Sequence, residues 1–201
     1  MDDFIKYLPE GIFAVINAHP DRYGNIFLVG GAVRDYLDGK TTKDFDFIVE
    51  KNASFLARSI ANHTGGVFYF LDRDREIARV LVGTGKQQMK LDFARQVGGS
   101  LEEDLRVRDF TVNAMAVSIH SPFMLIDPLN GKTDLKNRYL RMCASDSIRN
   151  EPVRALRAVR FVTQNSYNLL PETDASVREA AFHISTVSPE RVRDELFKIL
   201  A

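Results

Sequence analysis

Leu28-Val29-Gly30-Gly31-Ala32-Val33-Arg34-Asp35, followed after a turn by Asp44-Phe45-Asp46-Phe47-Ile48-Val49, is the stretch around which the chain is organised. Ile26 to Val29 is a short apolar run closed by two glycines, as a buried strand ends, and the residues beyond can open a helix. Glycines let backbone N–H groups approach an anion closely, a helix N-terminus adds partial positive charge, and Arg34 adds a fork of donors for phosphate oxygens. In the second strand the side-chain period is two. Asp44 and Asp46 therefore share one face, roughly 6–7 Å apart, while Phe45 and Phe47 turn to the core. Two carboxylates on one face suit a hard, oxygen-seeking cation such as Mg2+, which can activate a hydroxyl and neutralise a departing pyrophosphate. Singly, Gly-Gly after a strand is a tight turn and Asp-x-Asp is solvated edge-strand chemistry. Their order and close spacing together predict a phosphate cradle beside a metal site.

With 201 residues and 45% hydrophobic content the chain can bury one large or two small cores, with fourteen Phe and no Trp to supply the aromatic part. The formal net charge is zero, so any contact with nucleic acid must come from a local patch. Such a patch lies between Lys132 and Arg160, where eight Lys or Arg face three acids. A single cysteine, Cys143, excludes an internal disulfide and fits a reducing compartment, and the four histidines are too far apart for zinc-type pairing. With neither a signal peptide nor an apolar run of about 18 residues, no membrane contact is expected and the location is expected to be cytoplasmic.

Residues 4–18 carry apolar side chains at helical spacing and are expected to form a packing helix. Asn52 or Ser54 can cap a helix running to His63, which Thr64-Gly65-Gly66 ends. Strands are expected at 67–71, 77–82 and 89–94, with Gly83-Thr84-Gly85 as a hairpin turn, giving a mostly antiparallel or mixed sheet with helices on one side. Asp92 is an acid in an otherwise apolar strand. It is either an edge-facing side chain or a third carboxylate joining Asp44 and Asp46, placed to orient a metal or help deprotonate an attacking hydroxyl. Ser100-Leu101-Glu102-Glu103 fits a capping box. Further on, a helix over 151–165 places Glu151, Arg154, Arg157 and Arg160 on one stripe. They form either a solvated salt-bridge face or a base-reading edge, in which a carboxylate accepts from the exocyclic amine of cytosine or adenine while an arginine donates to ring acceptors. Helices over 171–184 and from Ser188 onward complete the chain.

Gly30 to Asp35 with Asp44-Phe45-Asp46 resembles motif A of the class II tRNA nucleotidyltransferases (the CCA-adding, A-adding and CC-adding enzymes) and bacterial poly(A) polymerases. Arg108-Asp109-Phe110-Thr111-Val112-Asn113-Ala114 looks like their motif B, with Val107 standing where the family usually has a second Arg. Asp127-Pro128-Leu129-Asn130-Gly131 with Asp134-Leu135 resembles the segment that closes the catalytic head, and reads as structural. Asn150-Glu151-Pro152-Val153-Arg154 through Arg160-Phe161 resembles the neck motif, here with Asn-Glu in place of the usual Glu-Asp. Glu190-Arg191 with Glu195-Leu196 resembles a motif assigned to holding the neck together.

The resemblance implies an α+β nucleotidyltransferase head over 1–139, with a central mixed sheet and flanking helices, and an all-helical neck over 140–201. It covers only the head-and-neck half of such enzymes, so a fragment or an unusually short member is expected. By the resemblance, Asp44 and Asp46 hold Mg2+ with Asp92 assisting. Gly30, Gly31, Arg34 and Arg108 cradle the phosphates of ATP or CTP, and Asp109 and Asn113 reach the sugar. Glu151 and Arg154 read the base, with Arg157 and Arg160 near the nucleotide. The implied activity is template-independent addition of C or A to the 3′ end of tRNA by attack of the 3′-hydroxyl on the α-phosphate. The alternatives are a poly(A) polymerase or a non-catalytic nucleotide- or RNA-binding module of the same fold.

Overall fold

The computed structural model describes residues 8–9, 11–120 and 123–200. They form two compact units. The first comprises the part up to Asp104 together with Met115–Ile126, the second Leu105–Ala114 together with the part from Asp127 onward. Packing thus divides the chain differently from a single cut at 139/140.

The first unit contains α1 (Ile12–Ala18), α2 (Pro20–Tyr23), β1 (Ile26–Val29), α3 (Gly31–Leu37), β2 (Asp44–Val49), α4 (Ala53–Thr64), β3 (Val67–Asp72), β4 (Ile77–Val82), β5 (Met89–Arg95), the start of α5 (Leu101–Arg106), β6 (Ala116–Ser118) and β7 (Leu125–Ile126). Of the helix expected over 4–18, residues 4–7 and 10 lie outside the described residues, 8, 9 and 11 are not helical, and Ile12–Ala18 forms α1. Seven strands form one sheet in the order β3-β4-β5-β2-β1-β6-β7. The β2–β5 pair is parallel and every other pair antiparallel, so the sheet is mixed as expected. Alternation along the strands separates two faces. Phe45, Phe47, Leu91, Phe93, Ala78 and Val80 are buried on one, where α4 lays down Leu56, Ala57 and Ile60. Phe47 and Phe93 stack across the parallel pair with ring centroids 4.8 Å apart.

Local chemistry departs from expectation at three points. Asn52 precedes α4 but does not cap it. At a left-handed φ of 57° its side-chain amide instead donates to the Arg22 carbonyl at 2.8 Å. At α5, Ser100 Oγ accepts from the Glu103 N–H at 3.2 Å, one half of a capping box. The Glu103 carboxylate accepts from Gly99 N at 2.6 Å rather than from the Ser100 N–H. The β4–β5 connection is not a tight turn, since Val82 pairs with Met89 and a 3-10 turn, Gly85–Gln87, fills the loop.

The second unit contains a 3-10 turn at Thr111–Asn113, α6 (Gly131–Asn137), β8 (Tyr139–Leu140), α7 (Ser147–Asn150), α8 (Val153–Asn165), β9 (Asn168–Leu169), α9 (Pro171–Ala180) and α10 (Pro189–Leu200). It is helical apart from the two-residue parallel pair β8–β9, and the helix expected over 171–184 gives way after Ala180 to a 3-10 turn at Ala181–Thr186. Phe110, Phe161 and Tyr167 pack edge to face at its centre, with centroids 5.7 and 5.4 Å apart. The Asp127 carboxylate accepts from the N–H groups of Gly131 and Lys132 at 2.7 and 2.9 Å, satisfying donors that open α6. Buried Asp134 accepts from the Thr111 hydroxyl at 2.7 Å and from Arg141. Both acids of this segment are therefore structural.

Because the Phe47–Phe93 stack fills the interior of the sheet face under α4, Phe47→Ala is expected to destabilise the first unit by about 3–5 kcal/mol. Urea denaturation measures this.

Candidate active site

In the first unit the strand register gathers the expected acids. Asp46 on β2 lies directly beside Asp92 on β5, which pairs in turn with Arg79 on β4 and then with Tyr69 on β3. Residues opposed in register share a face, so Asp46, Asp92, Arg79 and Tyr69 form one row across four strands. Asp44, two residues before Asp46, opposes Lys90, and the two are ion-paired at 2.9 Å. Asp92 is therefore brought next to the Asp44–Asp46 pair, as expected. Its two oxygens, however, accept from Arg79 Nε and Nη2 at 2.6 Å each. This hydrogen-bonded carboxylate, opposed by partial burial and helped by Tyr69, holds the Arg79 pKa above its usual value.

Gly30 ends β1 at φ 74°, a conformation that favours glycine, and its carbonyl accepts the Arg34 N–H of α3 at 3.2 Å. Arg34 directs Nε and Nη2 to Asp35 at 2.9 and 2.7 Å. Among the described residues no group of three or more His, Cys, Asp or Glu side chains is gathered as a metal cage. The carboxylates gathered on this face are Asp44 and Asp46, both exposed, with Asp92 alongside. Mg2+ is commonly bound through one or two carboxylates completed by water and substrate phosphates rather than by an all-protein cage. This donor set fits that pattern.

In the second unit a cavity of about 220 Å³ is lined by Arg108, Asp109, Glu151, Val153, Arg154, Arg157 and Arg191. Five of the expected nucleotide-binding residues thus meet at one place. Asn113 and Arg160 do not line it. The buried Asp109 carboxylate accepts from Phe110 N at 2.8 Å and Asn113 Nδ2 at 3.0 Å, and from Arg157 at 2.7 and 2.6 Å. Burial alone would raise its pKa. The Arg157 charge and these hydrogen bonds outweigh that and hold the carboxyl below the usual range. Glu195, buried on α10, accepts from Arg160 at 3.0 Å and Lys198 at 2.8 Å and faces Arg157 at 3.8 Å. Burial again opposes ionisation, and these three cations overcome it.

Arg154 and Glu151 form the i, i+3 pair of the simpler reading, at 2.8 Å. All three guanidinium nitrogens of Arg154 are engaged within the protein. Nε meets Glu151, Nη1 meets the Arg108 carbonyl and Ser147 Oγ at 3.1 and 2.6 Å, and Nη2 meets the Val107 carbonyl at 2.8 Å. The other Glu151 oxygen accepts from Arg191 of α10. Burial would raise the Glu151 pKa, but Arg191 and Arg154 lower it overall. Burial, reinforced by Asp109, pushes the nearby Cys143 thiol up to about 12, which excludes it as a nucleophile at neutral pH.

A family model described as the poly(A) polymerase head domain matches residues 26–141, more than half the chain. The chain belongs to the poly(A) polymerase head-domain family. A second model, described as a probable RNA- and SrmB-binding site of polymerase A, matches residues 166–201. The CC-adding tRNA nucleotidyltransferase of Geobacter sulfurreducens is 40% identical over 175 residues, covering 87% of this chain and 40% of that protein. The A-adding tRNA nucleotidyltransferase of Deinococcus radiodurans is 43% identical over 178 residues, covering 86% and 39%. A solved complex of a CCA-adding enzyme with ATP superposes with a TM-score of 0.85 at 26% identity, covering 98% of this chain and 50% of that one. The chain thus spans about 40% of the length of these two curated relatives.

Three residues of consequence lay outside the sequence expectations. Arg79 is placed beside Asp92 by β4–β5 register, Ser147 anchors Arg154, and Arg191 reaches the cavity from a motif assigned mainly to holding the neck together. Removing Arg157 strands the buried Asp109 carboxylate, and Arg157→Ala is expected to cost about 3 kcal/mol at pH 7, near the low end for a broken buried pair because a third of the Arg157 side chain is exposed. The Asp109 pKa is depressed in the folded state, so its contribution is present above the unfolded value and lost as pH falls through the folded one. The stability gap between parent and variant, measured by urea denaturation, is expected to narrow below about pH 4.

Proposed function

We propose that this chain is the head-and-neck part of a metal-dependent tRNA nucleotidyltransferase that adds C or A, or both, to a tRNA 3′ end, working in the cytoplasm. Two features, each described within its own unit, support this reading: the exposed Asp44–Asp46 face in the first and the cavity lined by Glu151 and arginines in the second. The activities of the relatives, CC-adding and A-adding, support it at nearly equal identity and so favour neither base.

In this reading Asp44 and Asp46 hold Mg2+, and Asp92 keeps a third negative charge beside them, fixed in position by Arg79. Bound there, Mg2+ supplies charge neutralisation for the triphosphate and a more acidic 3′-hydroxyl. The hydroxyl gives its proton to water, its oxygen bonds to the α-phosphorus as the bond to the β-phosphate oxygen breaks, and pyrophosphate leaves with its electron pair. The Gly30-Gly31 backbone, Arg34 and Arg108 hold the phosphates. Asp109 and Asn113, bonded to each other, set the position of Arg157, and of the two it is Asp109, which lines the cavity, that faces the sugar. The cavity is smaller than the roughly 300–1,000 Å³ that takes a drug-sized ligand, so it suits the base rather than the whole nucleotide. Arg154, engaged by carbonyls of Val107 and Arg108, acts by fixing that backbone, and Arg160 acts through Glu195.

The test is incubation of the chain with Mg2+, each labelled NTP in turn, and tRNAs ending before the C, CC or A positions. Labelled CMP or AMP is expected at the 3′ end, and Asp46→Ala is expected to lower the rate by roughly 10²-fold or more. Equal incorporation by the variant would overturn the metal assignment. Binding of CTP or ATP without extension would instead indicate a binding module.

A further inference from the structure

The first unit holds a groove of about 520 Å³ between α1 and α4, within the roughly 300–1,000 Å³ that takes a drug-sized ligand. Helix α4 covers the sheet face opposite the one that carries Asp44 and Asp46, so the groove stands apart from those acids. From α1 come only the small side chains of Ala14 and Ala18, with Val15 between them. From α4 come Phe55, Ser59, Asn62 and His63, which at i, i+4, i+7 and i+8 share one stripe. At the Phe55 end, Arg22 Cζ lies over the Phe55 ring, 3.9 Å from its centroid, and the Tyr23 ring stands 6.5 Å from it. At the other end the His63 ring packs on bare backbone, since a Cβ on Gly11 would stand 2.6 Å from its Cδ2.

The lining is polar, yet the protein engages none of its hydrogen-bonding side chains. Among the described residues Arg22 has no acceptor, and the side chains of His19, Ser59, Asn62 and His63 have no hydrogen-bond partner. Tyr23 is wholly buried, and its hydroxyl also lacks a partner. This contrasts with Arg154 of the second unit, whose three nitrogens are all taken up within the protein. No carboxylate lines the groove. A guanidinium held over an aromatic ring, with its fork of donors unpaired, is a ready site for an anion. Phe55, 42% exposed, and the alanines opposite it leave room for a flat ring beside that anion.

We propose that this groove binds a nucleoside monophosphate, with the phosphate on Arg22 and His19 and the base along the α4 stripe. Asn62 supplies the base contact: its amide sets a donor beside an acceptor, the pattern that pairs with adenine N7 and N6. Ser59 and His63 remain for the sugar hydroxyls. A bare phosphate would leave most of the groove empty and the α4 stripe without partners, which favours the whole nucleotide.

Titration of the isotope-labelled full chain with AMP, followed by backbone amide shifts, tests the proposal. Saturable shifts are expected at residues 14–23 and 55–63, separate from any at 108–113 and 151–157, and they are expected to persist in Asp46→Ala. Arg22→Ala is expected to weaken AMP binding at the groove by about tenfold or more. Asn62→Ala is expected to weaken it by about fivefold while leaving the weaker binding of ribose 5-phosphate unchanged. Asn62 is exposed on α4, so this variant carries the test should Arg22→Ala not fold. Shifts confined to the second unit, or AMP binding that neither substitution weakens, would overturn the proposal. So would ribose 5-phosphate binding as tightly as AMP, which marks an anion site without base recognition, or shifts produced by oligoadenylate RNA and not by AMP.

Discussion

The parallel pairing of β2 with β5 is the constraint on which the first unit depends. Its register sets Phe47 against Phe93 on the inner face and, one residue earlier on each strand, Asp46 against Asp92 on the outer face. Because side chains alternate, a slip of one residue would turn the acids into the core and the rings outward. Burial of the aromatic face therefore enforces the position of the carboxylates. Two like charges held side by side repel, and Arg79, opposite Asp92 on the next strand, offsets that cost with a bidentate pair.

A different interaction organises the second unit. Asp109 is buried and satisfied on all sides, and Arg157 is its principal cation. The same arginine faces Glu195, which also takes Arg160 and Lys198, so the motif around residues 108–113 is tied through α8 to α10. Paired charges of this kind are costly to break even where they add little net stability. Their value here is geometric, since they fix where the cavity's arginines stand.

Much of this was legible in the sequence because it rests on local pattern. The strand Ile26–Val29, the two acids of β2 and the glycines bounding α3 and α4 follow from apolar periodicity and from glycine's access to positive φ. The charged stripe of α8 was likewise readable from its three-residue step. What could not be read was every feature set by non-local register or by competition among partners. Nothing near Asp92 in sequence indicates that Arg79 occupies both its oxygens, and the spacing of Glu151 and Arg154 is the same whether Arg154 faces a ligand or the carbonyls of Val107 and Arg108. The short β8–β9 pair was missed for the same reason, since two-residue strands carry no periodicity.

The most direct measurement of the central claim, that Asp44 and Asp46 form the cation site, is paramagnetic broadening of backbone amide signals by Mn2+ in the isotope-labelled chain, with Mn2+ standing in for Mg2+. The expected result is that signals of residues 44–46 and of neighbouring Asp92 broaden first, and that Asp46→Asn abolishes the selectivity. Broadening that begins at other surface acids, such as Glu102 and Glu103, or that is unaffected by the substitution, would contradict it.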